Sequence, residues 1–276
     1  MGVHLSRAGR WAGALLLACG LNQAGPADAL TINLSFTGGA APGNTAGGGD
    51  ISAIFRSAAD WWEMAIADDH VVNVNYGWGA LSGGTLGQAS ISLPLPPAAG
   101  GTITMDNDGS TLWFMDLTPD FNEEYNTFTA TQADLGGGTV NVGRVYSGAQ
   151  GNAAGRFDLL TVAKHEIGHT LGFFDNPFFN PKWNDPLVLT APRPHAGSQI
   201  PTTNIGGGHI NIASALLYHS IAPGVRLGQS AIDILAVAEL NDWALIDTDP
   251  HPVPEPSTLA LMGLGLAGLA AWRRPT

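Results

Sequence analysis

The chain has 276 residues, 45% hydrophobic and 12% charged, with 11 Lys+Arg against 23 Asp+Glu for a formal net charge of −12. So acidic a surface repels phosphate backbones, which excludes nucleic acid as an expected partner. The single cysteine, Cys19, excludes a framework of intramolecular disulfides.

Arg7 and Arg10 precede a short apolar stretch from Trp11 to Leu21, and Ala27-Asp28-Ala29 fits a small-x-small cleavage site. Residues 1–29 are therefore expected to be a signal peptide. Lipoprotein processing at Cys19 is disfavoured because Leu17 stands where a small residue is needed. Residues 30–252 suffice for one domain of ordinary size.

Within it, Ile32, Leu34 and Phe36 alternate with polar partners, which predicts a strand over Thr31 to Phe36. After a glycine-rich loop, Asp50 is placed to cap a helix in which Ile54, Ala58, Trp61/Trp62 and Ala65 form the apolar stripe. Val71, Val72, Val74 and Tyr76 predict a second strand, and Thr102 to Met105 another. Between these, Gly83-Gly84 and Pro94 to Pro97 read as loops on either side of a short apolar stretch near Ile91. The acidic turn Asp106-Asn107-Asp108-Gly109 is weakly suited to calcium, lacking the terminal bidentate Glu of a calcium loop, and reads better as a solvated turn. Trp113 to Tyr125 reads as an inserted loop near a cleft, and Val140, Val142 and Val145 as a strand. Asp158 can cap a helix whose Leu159, Val162/Ala163, Ile167 and Leu171 face the core. Phe178 to Ile205 shows no period and reads as loop. A last helix carries Ile232, Leu235/Ala236 and Leu240, closed by Trp243.

The chemistry concentrates on the Asp158 helix, in the string His165-Glu166-Ile167-Gly168-His169-Thr170-Leu171-Gly172-Phe173-Phe174-Asp175. Positions i and i+4 share a helix face, so His165 and His169 can present two imidazoles to one metal ion. Glu166 is placed to reach a water on that ion. Gly172 can end the helix in a left-handed conformation and turn Asp175 back as a third ligand. A distant acid such as Glu239 is the competing third ligand. His70, His195, His209 and His251 stand isolated in sequence and are expected to face solvent.

This string resembles the metzincin zinc peptidases, in the version with Asp as third ligand. The resemblance implies an α+β fold: a twisted mixed sheet with a backing helix, an active-site helix and a smaller C-terminal subdomain with a helix. It implies a catalytic Zn2+ held by His165, His169 and Asp175, with Glu166 as general base of an endopeptidase acting on protein or peptide substrates. The methionine turn of that family has its nearest match in Ala215-Leu216-Leu217-Tyr218-His219, with Leu217 at the Met position. Tyr218 is expected to support the site, and His219 to help stabilise an oxyanion. The competing expectation is a non-catalytic envelope or matrix protein that keeps a structural zinc site.

At the C-terminus, Val253-Pro254-Glu255-Pro256-Ser257, the apolar run Thr258 to Trp272 and Arg273-Arg274 follow one another. The run is shorter than the roughly 20 residues of a spanning helix. Spacer, apolar segment and positive stop in residues 253–276 resemble the PEP-CTERM sorting tail. That resemblance implies recognition by an exosortase-type membrane protease and membrane contact through the tail. It also implies export in a Gram-negative bacterium to the periplasm or envelope, then the cell surface or matrix.

Overall fold

The first half of the domain is a sheet backed by helices. The structure, a computed structural model, describes residues 29–250 with the exception of residue 179. Residues 1–28 of the expected signal peptide and the whole sorting tail lie outside the described residues. β1 (Thr31–Phe36) buries Ile32 and leads into α1 (Ile51–Ala65). Asp50 caps α1 by accepting from the Ser52 and Ala53 amides, as its sequence position predicts. α1 buries Ile54, Phe55, Ala58, Trp62 and Ala65, and is followed by β2 (Val71–Gly79), β3 (Gly87–Ile91) and β4 (Gly100–Asp106). The sheet order is β1-β2-β4-β3, with β1, β2 and β4 parallel and β3 antiparallel at the edge. β3 is the stretch near Ile91 that sequence left as apolar punctuation. It is short and built mostly of small or polar residues, so it shows no buried alternation.

β5 (Trp113–Phe114), β6 (Tyr125–Asp134), β7 (Thr139–Ala149) and β8 (Phe157–Asp158) come next. β6 is exposed along nearly its whole length, so it carries no apolar period and is absent from the sequence reading. α2 (Leu159–Thr170) begins at the Asp158 cap, whose carboxylate accepts from the Thr161 amide and hydroxyl. The indole of Trp62 donates to the Lys164 carbonyl at 3.0 Å, pinning α2 against α1.

The expected loop region contains β9 (Leu187–Val188), paired with β10 (Gln199–Ile200), and β11 (Thr202–Thr203), which pairs with β12 (His209–Ile210) just beyond it. β13 (Arg226–Gly228) then joins β7, and α3 (Ala231–Asn241) follows a Ser230/Asp233 capping box. All eleven residues of α3 are buried, the polar Asp233, Glu239 and Asn241 among them. The architecture is α+β, a mixed sheet with smaller sheets and three α-helices among the described residues. Among them no helix is long and apolar enough to cross a membrane.

A buried ion network closes the N-terminal end of α2. Arg226, 1% exposed, donates to both oxygens of Asp158 (3.0 and 2.9 Å) and to Asp116 (2.6 Å). It also donates to the Phe121 carbonyl at 2.6 Å. The Trp113–Tyr125 segment is thereby tied to the foot of α2. None of its residues lines the large cleft, contrary to the expectation of an insertion beside it.

Candidate metal centre

α2 ends as its sequence predicts. Gly172 has φ 92°, its amide donates to His169 O, and the Phe173 amide donates to Gly168 O. These two bonds make a Schellman motif, in which the left-handed residue is best a glycine. The turn buries Phe173 and lays its carbonyl against the last helical histidine, where His169 Nδ1 lies 2.5 Å from Phe173 O.

The residues brought together differ from the expected set. His165 and His169 converge as the helical spacing demands, their Nε2 atoms 3.0 Å apart. The third member is His209, with Nε2 3.2 Å from that of His165. Among the described residues, these three histidines are the group able to hold a metal ion, with ligand atoms within 4.8 Å of one another. Asp175, the expected third ligand, is not in the group. The reason is visible in the backbone: the Asp175 amide donates to Gly207 O at 2.7 Å, so this stretch supports the 205–208 turn. That turn ends in β12 and delivers His209. A Cβ on Gly208 (φ 110°) would lie 2.4 Å from the Asp175 nitrogen, so the two segments can approach only because residue 208 has none. His209 was expected to face solvent, yet it is 6% exposed. Its signal in the sequence, Gly206-Gly207-Gly208 before an isolated His, is too common to carry a ligand assignment alone.

The donor set fits a divalent cation. Each ring turns Nδ1 to a backbone carbonyl: His165 to Leu216 O (2.8 Å), His169 to Phe173 O, and His209 to Ile205 O (2.6 Å). With Nδ1–H donated there, all three Nε2 lone pairs point at one another. Tetrahedral zinc, with Zn–N near 2.0–2.1 Å, places its nitrogens about 3.3 Å apart, close to the separations seen. Burial, and then the neighbouring rings, push His165 well below the usual imidazole range. Burial also lowers His169, and burial with the adjacent His169 lowers His209 to about 4. At neutral pH the rings are therefore unprotonated, and no proton has to leave for a metal to bind.

Glu166, 5% exposed, lines the same cleft, and burial raises its carboxyl to about 8. The Ala89 amide of β3 opposes that rise. β3 passes so close that a Cβ on Gly87 would lie 2.8 Å from Glu166 Oε1. Beneath the ligands, Leu217 is fully buried and meets α2 at Gly168, where a Cβ would come within 2.6 Å of its Cδ2. Asp233 sets this floor by accepting from the Leu216 and Leu217 amides at 3.1 and 2.9 Å. Tyr218 and His219 line the cleft, their rings 4.2 Å apart. The His219 ring lies 6.3 Å from His209, and its Nδ1 is buried without a partner among the described residues.

The other candidates are spent elsewhere. Glu239 pairs with Arg193 at 2.6 Å and accepts from Thr190. Asp106, itself buried, uses its carboxylate on the Leu81 and Asp108 amides and the Thr111 hydroxyl, while Asp108 and Gly109 stand exposed as a solvated turn does. His70 contacts the Ala98 carbonyl.

The cleft has a volume of about 840 Å³ and runs from β3 across the histidines to Leu216, Ile221 and Leu227. In comparison with known families, one segment answers. Residues 252–274 match the PEP-CTERM protein-sorting motif. That motif implies recognition by exosortase sorting machinery, with export and sorting to the cell envelope of a Gram-negative bacterium. No curated protein matches the chain.

Proposed function

We propose that this is an exported metal-dependent endopeptidase, in which His165, His169 and His209 hold a zinc ion and Glu166 is the general base. The observation that carries the reading is Glu166 itself, a carboxyl without a cationic partner that lines the ligand cleft immediately after the first ligand. Three protein ligands facing an open cleft are the stoichiometry of catalytic zinc, whereas structural sites are closed by a fourth. When bound, the metal supplies an acidified water and a Lewis acid for a carbonyl oxygen.

The chain's own groups would then act as follows. Glu166 accepts a proton at its carboxylate as the attacking water loses it, and returns the proton to the departing amine nitrogen. The edge of β3 holds an extended substrate. Leu86 O and the Ser92 amide bond to β4, so alternation turns the N–H and C=O groups of Gly87 and Ile91 and the C=O of Ala89 away from it, along the cleft, the Ala89 amide being given to Glu166. Leu217 and the Asp233-anchored turn keep His165 in place through Leu216 O. His219, with an uncommitted Nδ1, is placed to donate to a developing oxyanion. The helix and its glycine turn resemble metzincins, while the third ligand departs from that family's spacing.

Zinc quantification with a peptide-library cleavage assay tests this. Wild type is expected to carry one zinc per chain and to cleave. Glu166→Ala should keep the zinc and lose turnover by roughly 10²–10⁴-fold, the usual worth of a general base. Zinc retained with no cleavage by wild type would instead support a non-catalytic envelope protein.

A further inference from the structure

On the far side of α2 from the cleft's rim strand, a second cavity of about 20 Å³ lies between Trp61, Asp120, Asn122, Arg144, Lys164 and Gln229. Two of its lining side chains are buried without being satisfied. Lys164 is 4% exposed, and its ammonium meets only the face of Trp61, 4.5 Å from the ring centroid, with no hydrogen-bond or ion-pair partner among the described residues. Gln229 is 2% exposed, and neither its amide nitrogen nor its amide oxygen has a partner among the described residues. The other charges nearby are committed. Arg226 is held by Asp116 and Asp158, Arg144 bonds Asp249, and Asp120 stands exposed at the mouth.

Buried charges are ordinarily paired, and a buried amide with both ends idle is rare. A water alone would accept a hydrogen bond but bring no charge to meet an ammonium that burial pushes down to about 7. The volume exceeds the 10–15 Å³ or so that one water-sized occupant requires, but it is too small for a carboxylate or phosphate. We propose that this cavity binds a small monovalent anion of the halide class, held between the Lys164 ammonium and the Gln229 amide N–H. Lys164 directly precedes His165, and its carbonyl receives the Trp62 indole, so the anion braces the turn of α2 that carries the first metal ligand. The site is independent of the peptidase reading, because its occupancy can be measured without turnover.

The test compares the full, metal-loaded chain in sodium chloride and in sodium gluconate at equal ionic strength. Chloride should raise the melting temperature saturably, by about 2–4 °C. Lys164→Met should fold and lose that response. Gln229→Leu should keep it, with half-saturation at roughly tenfold more chloride. Crystals grown in bromide should show an anomalous peak between the two side chains. Equal melting in both salts for the wild type, a chloride response surviving in Lys164→Met, or a water where bromide is expected would each overturn the proposal.

Discussion

α2 and the turn leading into β12 bring imidazole nitrogens to the same point by opposite routes. On α2 the geometry is local: His165 and His169 are one helical turn apart, and their convergence follows from the period alone. His209 arrives by a route of long-range contacts. β11 and β12 pair Thr203 with His209, three glycines make the reversal, and the Asp175 amide holds it from the outside. A local device is readable from spacing, whereas one built from contacts distant in sequence is readable only once the chain is folded.

The largest expected effect separates the two. His209→Ala should abolish stoichiometric zinc, losing more than the 10–100-fold that removal of an outer-shell partner costs. Asp175→Ala should retain it, since the contact that matters there is a main-chain amide. Equilibrium dialysis against a zinc chelator distinguishes them, and zinc loss in Asp175→Ala with retention in His209→Ala would restore the expected ligand set. Gly208→Ala comes next. Its Cβ would collide with the Asp175 nitrogen at 2.4 Å in a backbone region that side-chain-bearing residues avoid. The turn must shift, and zinc affinity should fall by about 10–100-fold with all three histidines intact, as for other losses of ligand support.

The same contrast explains how much was legible beforehand. Asp50 and Asp158 as caps, β1, α1 and Gly172 as the helix-ending residue all follow from neighbours within a few positions. β6 was hidden because its exposed Thr, Ala and Gln carry no burial signal. β3 was hidden because Gly87 and Ala89 are small to suit an approach by α2, itself a tertiary fact. Asp175 falls outside the histidine group, although the glycine turn does bring the following chain back toward it. What it brings into use is the main-chain amide, and a sequence shows only side chains. Arg226, which joins Asp116, Asp158 and Phe121, belongs to the same class: each partner lies far from it in sequence.

The remaining effects concern protons, and they sharpen the comparison because both histidine routes end in the same buried pocket. The folded state holds His209 near 4 and the two helical rings below their ordinary value. Above about 6.5 the rings are neutral folded and unfolded alike, and this contribution to stability is fully present. As pH falls toward 4 the unfolded chain takes up protons that the folded state refuses, so stability and zinc retention both decline. Glu166 runs the other way. Below about 4.5, its ordinary value, it is protonated in both states; between there and about 8 only the unfolded chain gives up its proton, so metal-free protein loses stability as pH rises. Glu166→Gln removes that penalty and should stabilise the metal-free protein at pH 8 by about 2–4 kcal/mol, less than the full linkage because the cleft admits water. The gain should vanish near pH 4, and should shrink with zinc bound, because a nearby cation favours the carboxylate and removes most of what the substitution relieves. Denaturant melts at the two pH values, with and without chelator, read all four cases. An equal effect of the substitution at both pH values would mean that Glu166 is ordinarily solvated and the pocket wetter than its packing against β3 implies.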